Sequence, residues 1–135
     1  MTITIHYDDV PPSLNAVGTR GSRYEVTAAK RQWDGIFGML LIAKRNEIPR
    51  STVFVRARAT LRFPDRRRRD PDNFGWLITK ALGDALQTVG VLADDTQDEF
   101  EFTGCRIESE KGPRRTTVEL ELMDTNPHEE EHDAR

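Results

Sequence analysis

The sequence predicts a single α+β domain: one mixed β-sheet with two main helices, in the order strand, helix, strand, helix, strand, strand. Three observations carry this. Phe74, Leu77, Ile78, Ala81, Leu82, Ala85, Leu86 and Val89 recur at three- and four-residue steps without a break, the stripe of an amphipathic helix. Residues 52–63 alternate, Phe54 apart, between small or apolar side chains and polar ones, the period of a strand. The chain has 135 residues, enough for one two-layer core and too few for two.

The remaining elements follow in order. Ile3 and Ile5 alternate with polar neighbours over 2–7 and predict a short first strand. Residues 8–21 hold Pro11, Pro12, Ser13, Asn15 and Gly18, the composition of an extended loop. Thr27 is a candidate N-cap for a first helix reaching about Asn46, with Trp33, Ile36, Phe37, Leu40, Leu41 and the stem of Lys44 on one stripe. Pro49 ends any continuation. Over 52–63, Val53, Val55, Ala57, Ala59, Leu61 and Phe63 share one face, and Thr52, Phe54, Arg56, Arg58, Thr60 and Arg62 the other. The first face is core. The second reads either as solvated arginines or as a basic surface continuing into Arg66–Arg69. Gly90 stands at the C′ position of the second helix. Residues 99–108 and 115–123 alternate on either side of Lys111-Gly112-Pro113, which predicts an antiparallel hairpin. Residues 124–135 lack apolar periodicity and are expected to form an acidic, disordered tail outside a domain of residues 1–123.

Composition narrows the class. Charged residues make up 32% and hydrophobic ones 36%, a polar globular balance. The longest apolar stretch, 36–43, is too short to span a bilayer, and the opening MTITIHYDD lacks the regions of a signal peptide. A cytoplasmic protein with no membrane partner is expected. Cys105 is the only cysteine, so intrachain disulfides and a zinc cluster are excluded. The net charge of −3 hides a division: five acids against Arg135 give residues 124–135 a charge of −4, leaving +1 on residues 1–123. Arginines cluster in that body, a local pattern that suits a polyanion better than the total suggests.

The densest chemistry lies between Arg66 and Asp95. Arg66, Arg67, Arg68 and Arg69 run into Asp70-Pro71-Asp72-Asn73, and Asp94-Asp95 follow the second helix. Clustered carboxylates repel unless a hard divalent cation sits among them, and such a cluster beside cationic groups suits metal-assisted cleavage of a phosphodiester. Pro71 is expected to hold the backbone extended, so that Asp70 and Asp72 point the same way. The helix separating the two acidic pairs is ~24 Å long, so residues 90–93 must turn the chain back for the pairs to meet. The alternative is capping: Asp72 or Asn73 starts the helix and Asp94 begins a turn. An EF-hand loop from Asp70 fails because Phe74 and Ala81 occupy ligand positions. Nucleophile schemes lack partners, with His6 in the first strand, His128 and His132 in the tail, and Cys105 in mid-strand.

These residues resemble a known family. PDRRRRDPDN, then KALGDAL, then GVLADD, together with the early PPSLN, look like the RusA-type Holliday junction resolvases (crossover junction endodeoxyribonucleases) of bacteria and phages, over roughly residues 8–122. The resemblance implies a homodimer of small α/β subunits that binds four-way DNA junctions and, with Mg2+ (or Mn2+ in its place), nicks opposing strands. It places the essential acids on Asp70, Asp72 and Asp95, with Asp94 an adjacent metal-ligand candidate, and the essential lysine on Lys80. Arg66–Arg69 and Arg62 are the expected DNA-binding groups, with Asn15 and Asn73 as further contacts. One departure stands out: the best-known member has its lysine one helical turn after the second acid, whereas Asp72 and Lys80 are eight residues apart. If all eight steps are helical, Lys80 lies ~12 Å along the axis from Asp72 and rotated by about 80°; otherwise the helix starts later and the loop is longer.

The expected function is therefore Mg2+-dependent, structure-selective cleavage of branched DNA. A junction-binding accessory protein without cleavage is the alternative. A small module binding protein partners is disfavoured, since it has no use for repelling carboxylates.

Overall fold

The computed structural model describes residues 1–13, 23–93 and 98–128. The elements are β1 (Thr2–Tyr7), α1 (Arg23–Ala43), β2 (Phe54–Phe63), α2 (Asp72–Thr88), β3 (Phe100–Ser109) and β4 (Arg115–Met123), with a short 3-10 turn, Arg45–Glu47, after α1. This is the expected order, and the four strands form one mixed sheet in the spatial order β1-β4-β2-β3. Among the described residues, no helix is long and apolar enough to cross a membrane.

The pairing differs from the expected hairpin. β3 and β4 are not neighbours: β2 lies between them, parallel to β3 and antiparallel to β4. Residues 110–114 therefore cross the C-terminal end of β2 instead of making a tight turn. The Glu110 N–H donates to Phe63 O at 3.0 Å, and the Arg62 guanidinium donates to Pro113 O at 2.9 and 3.1 Å, pinning both ends of the crossing. Alternation shows that two segments are strands but not which strand each one pairs with. β2 is the most buried strand, and both of its edges are paired.

Helix α1 begins at Arg23, four residues before the expected cap at Thr27, and stops at Ala43. Trp33, Phe37 and Leu41 are buried at four-residue steps, with Ile36 and Leu40 packed beside them. In α2 the stripe behaves as read: Phe74, Leu77, Ile78, Ala81, Leu82, Ala85 and Leu86 are all buried. Each fully buried Leu, Ile or Phe contributes roughly 1.5–3 kcal/mol relative to exposure. Lys30 of α1 pairs with Asp84 of α2 across the helix layer. Burial, then the Asp84 charge, pushes the Asp34 carboxyl upward, with Lys30 opposing.

Gly90, at φ +82°, closes α2 as expected. Its N–H donates to Gln87 O (3.1 Å) and that of Val91 to Leu86 O (2.9 Å), the pair of bonds of a Schellman motif. The Leu92 N–H also reaches Leu86 O (3.2 Å) and its side chain is buried, so the chain does turn back at the helix end.

The sheet face away from the helices is not a continuous basic surface. Register sets Arg56 opposite Glu121 and Glu101, and Arg58 opposite Glu119. Arg56 pairs with Glu101 at 3.3 Å and Glu121 at 3.9 Å, and Arg58 with Glu119 at 2.6 Å. The acids that answer these arginines come from strands distant in sequence, so β2 alone overstates the positive charge. Phe54, on this polar face, is nonetheless fully buried, and the ring of His128 lies edge-on to it at 5.7 Å. His128 also lies 3.9 Å from Glu101, so the described start of the tail rests on this face.

Candidate active site

Residues 64–71 leave the C-terminal end of β2 and enter α2, so the site lies where the parallel β2–α2–β3 unit presents its loop. Outside the C-terminal ends of parallel strands is where open α/β sheets place ligands. Asp70 and Asp72 are both exposed there. Pro71 is helical, at φ −54° and ψ −35°, so the extended backbone expected around it is replaced by the first turn of α2. The reason is capping. The Asp70 Oδ1 accepts the Asp72 N–H at 3.1 Å and the Asp70 carbonyl accepts the Asn73 N–H at 3.1 Å, while proline suits the first helical position. The cap is thus Asp70, two or three residues before Asp72 and Asn73, the positions the sequence suggested. The capping and ligand readings are compatible, because the cap engages one Asp70 oxygen and no side-chain atom of Asp72.

The arginine run divides. Arg66, Arg67 and Arg68 are exposed. Arg69 is turned back on the protein: its guanidinium forks onto Asp65 at 2.8 and 3.2 Å and stacks on Phe63, 3.8 Å from the ring centroid. The bond from Arg69, then that from the Arg67 N–H, holds the Asp65 carboxyl down at about 2. Arg69 is therefore a structural clamp on the loop. Arg62 is likewise occupied, by Pro113 O. Asp65 stands four residues before Arg69 in the sequence, but in a non-helical segment that spacing does not by itself pair them.

Beneath the acidic turn lies Cys105, which sequence reasoning set aside. Between Ala57 and Ala59 of β2, strand β3 carries an extra residue, with Gly104 at φ +120°. This bulge restores Cys105 to the helix-facing side after Phe102, where its Sγ donates to Pro71 O at 3.0 Å. Burial, then the charges of Asp72 and Asp70, pushes the thiol up to about 11. Alkylation of Cys105 by iodoacetamide at pH 8 is therefore expected to be about a hundredfold slower than that of an ordinary cysteine. Asp72→Asn should accelerate it; a rate unmoved by that substitution would separate the carboxylate from the thiol.

Lys80 is exposed and forms no ion pair among the described residues. Since α2 starts at Asp72, all eight steps to Lys80 are helical, which settles its offset at ~12 Å along the axis. Asn73 sits half-buried in the first turn. Asp94, Asp95 and Asn15 lie outside the described residues. Among the described ones, no three potential metal-ligating side chains come together. The two acids that are described suit a hard cation: both offer oxygen donors at the surface, and neither has a cationic partner among the described residues.

The fold and site together define a small α+β protein with an acidic helix start flanked by exposed arginines. No model of a known protein family and no curated protein matches the chain.

Proposed function

We propose that the chain is a RusA-type, Mg2+-dependent endodeoxyribonuclease that acts as a homodimer on four-way junctions or related branched DNA and nicks opposing strands. One observation carries this reading. Asp70 and Asp72 have no cationic partner among the described residues although four arginines precede them, because the nearest, Arg69, is drawn to Asp65. Two exposed carboxylates kept apart from adjacent guanidiniums suit an external hard cation. Asp70 and Asp72, with Asp95, would hold Mg2+, which when bound supplies Lewis-acid polarisation of a phosphate and a more acidic water. Arg66–Arg68 grip the DNA backbone without reading sequence. Asp70 also anchors the turn through its cap, and Cys105 ties that turn to the sheet.

The accessory reading, binding without cleavage, draws on Lys80, which lies two helical turns from Asp72 instead of one. The binding half of the proposal is tested by Arg66→Ala with Arg68→Ala. Junction affinity should fall and the slope of log K against log salt should flatten by about 2. An unaltered slope would turn both arginines away from the DNA.

A further inference from the structure

A cleft of about 480 Å3 opens beside the acidic turn, between residues 9–13, α1, the end of β2 and the crossing before β4. We propose that it is a subsite for a backbone phosphate of DNA, gripped by Arg67 and Arg114. The inference rests on the nuclease reading and adds to it a phosphate flanking the one presented to Asp70 and Asp72.

Arg114 reaches the cleft because of the strand order. β3 ends beside Phe63 and β4 starts beside Arg62, so the crossing between them must pass the end of β2. Its anchors at Glu110 and Pro113 deliver the Arg114 guanidinium to 5.5 Å from the Phe63 ring centroid. Its neighbour Arg115 is paired with Asp8 at 2.9 Å, whereas Arg114 has no carboxylate partner among the described residues. Arg67 lines the same cleft from the loop between β2 and α2. Its N–H is fixed by Asp65 at 2.9 Å and its carbonyl accepts from Arg69 at 3.2 Å, so the main chain is held while the guanidinium is left without an acidic partner among the described residues.

The lining charges favour an anion. Arg67, Arg69 and Arg114 face one acid, Asp9, which accepts the Val10 N–H at 2.8 Å. Arg69, already matched by Asp65, is a fixed wall, and the two unmatched forks supply charge-assisted bonds of the kind phosphate oxygens accept. The buried Phe63 ring keeps the floor rigid.

The test uses the full chain. In EDTA, Arg114→Ala should weaken four-way junction binding about tenfold at low salt and flatten the salt slope by about 1, with Arg114→Lys intermediate. Arg50→Ala, an equal charge change before the opposite end of β2, should leave the slope at its wild-type value. A wild-type slope in Arg114→Ala overturns the proposal. Titration with the dinucleotide dTpT, followed through the Nε–Hε NMR signals, separates the subsite from the nuclease reading. Shifts at Arg67 and Arg114, absent at Arg50, are expected. Unshifted signals overturn the subsite even where junctions bind, and shifted signals without junction binding overturn only the nuclease reading.

Discussion

Asp72→Asn should lower the rate of nicking by ~10^3-fold or more while junction affinity holds or rises. The substitution keeps shape and removes one charge. Asp72 is exposed and its side chain makes no hydrogen bond among the described residues, so folding is not at stake. Removing a negative charge near the DNA backbone relieves repulsion, which is why affinity should not fall. Asp70→Asn is a useful companion, because asparagine also caps helices and the first turn of α2 should persist. Single-turnover nicking with Mg2+, beside gel-shift binding in EDTA, reads both quantities. Wild-type nicking in Asp72→Asn would remove this residue from the chemistry.

Phe63→Ala should cost about 3–5 kcal/mol of stability. Phe63 is 2% exposed, packs against Phe74 at 5.5 Å, and carries the Arg69 guanidinium on its face. The ring joins the core to the arginine loop, so its loss opens a cavity and frees the clamp together. Phe63→Leu retains apolar volume and should cost less than about 1.5 kcal/mol for the packing, plus ~1 kcal/mol for the lost cation–π contact. Urea unfolding with an unchanged m-value measures both. A loss below ~1 kcal/mol in Phe63→Ala would mean that the loop does not depend on this ring.

The features legible in the sequence are those written within one element. The α2 stripe, its end at Gly90 and the alternating faces of β2 from Val55 onward each follow from local period and turn chemistry, and the structure has them; before that, Val53, read as core, is exposed, and Thr52 and Phe54, read on the other face, are buried. What was not legible required knowing which segments meet. The acids that neutralise Arg56 and Arg58 arrive on β3 and β4, and the insertion of β2 between those strands is a choice of partner that alternation does not encode. The same insertion brings Arg114 to Phe63. Cys105 was set aside because no basic partner lies near it in the sequence; its place under the acidic turn depends on the bulge at Gly104, which unbroken alternation from Phe100 does not show. The acidic turn was legible as chemistry but not as conformation. Proline allows both extended and helical ψ, and the cap from Asp70 selects the helical one.

The most direct test of the central claim is cleavage of a synthetic four-way junction, compared with linear duplex of the same sequences, in Mg2+ and in EDTA. The account predicts paired nicks in opposing strands, confined to the junction and lost in EDTA. Tight junction binding with no nicking in Mg2+ or Mn2+ would contradict it, and would leave the accessory reading with the eight-residue Asp72–Lys80 spacing as its cause.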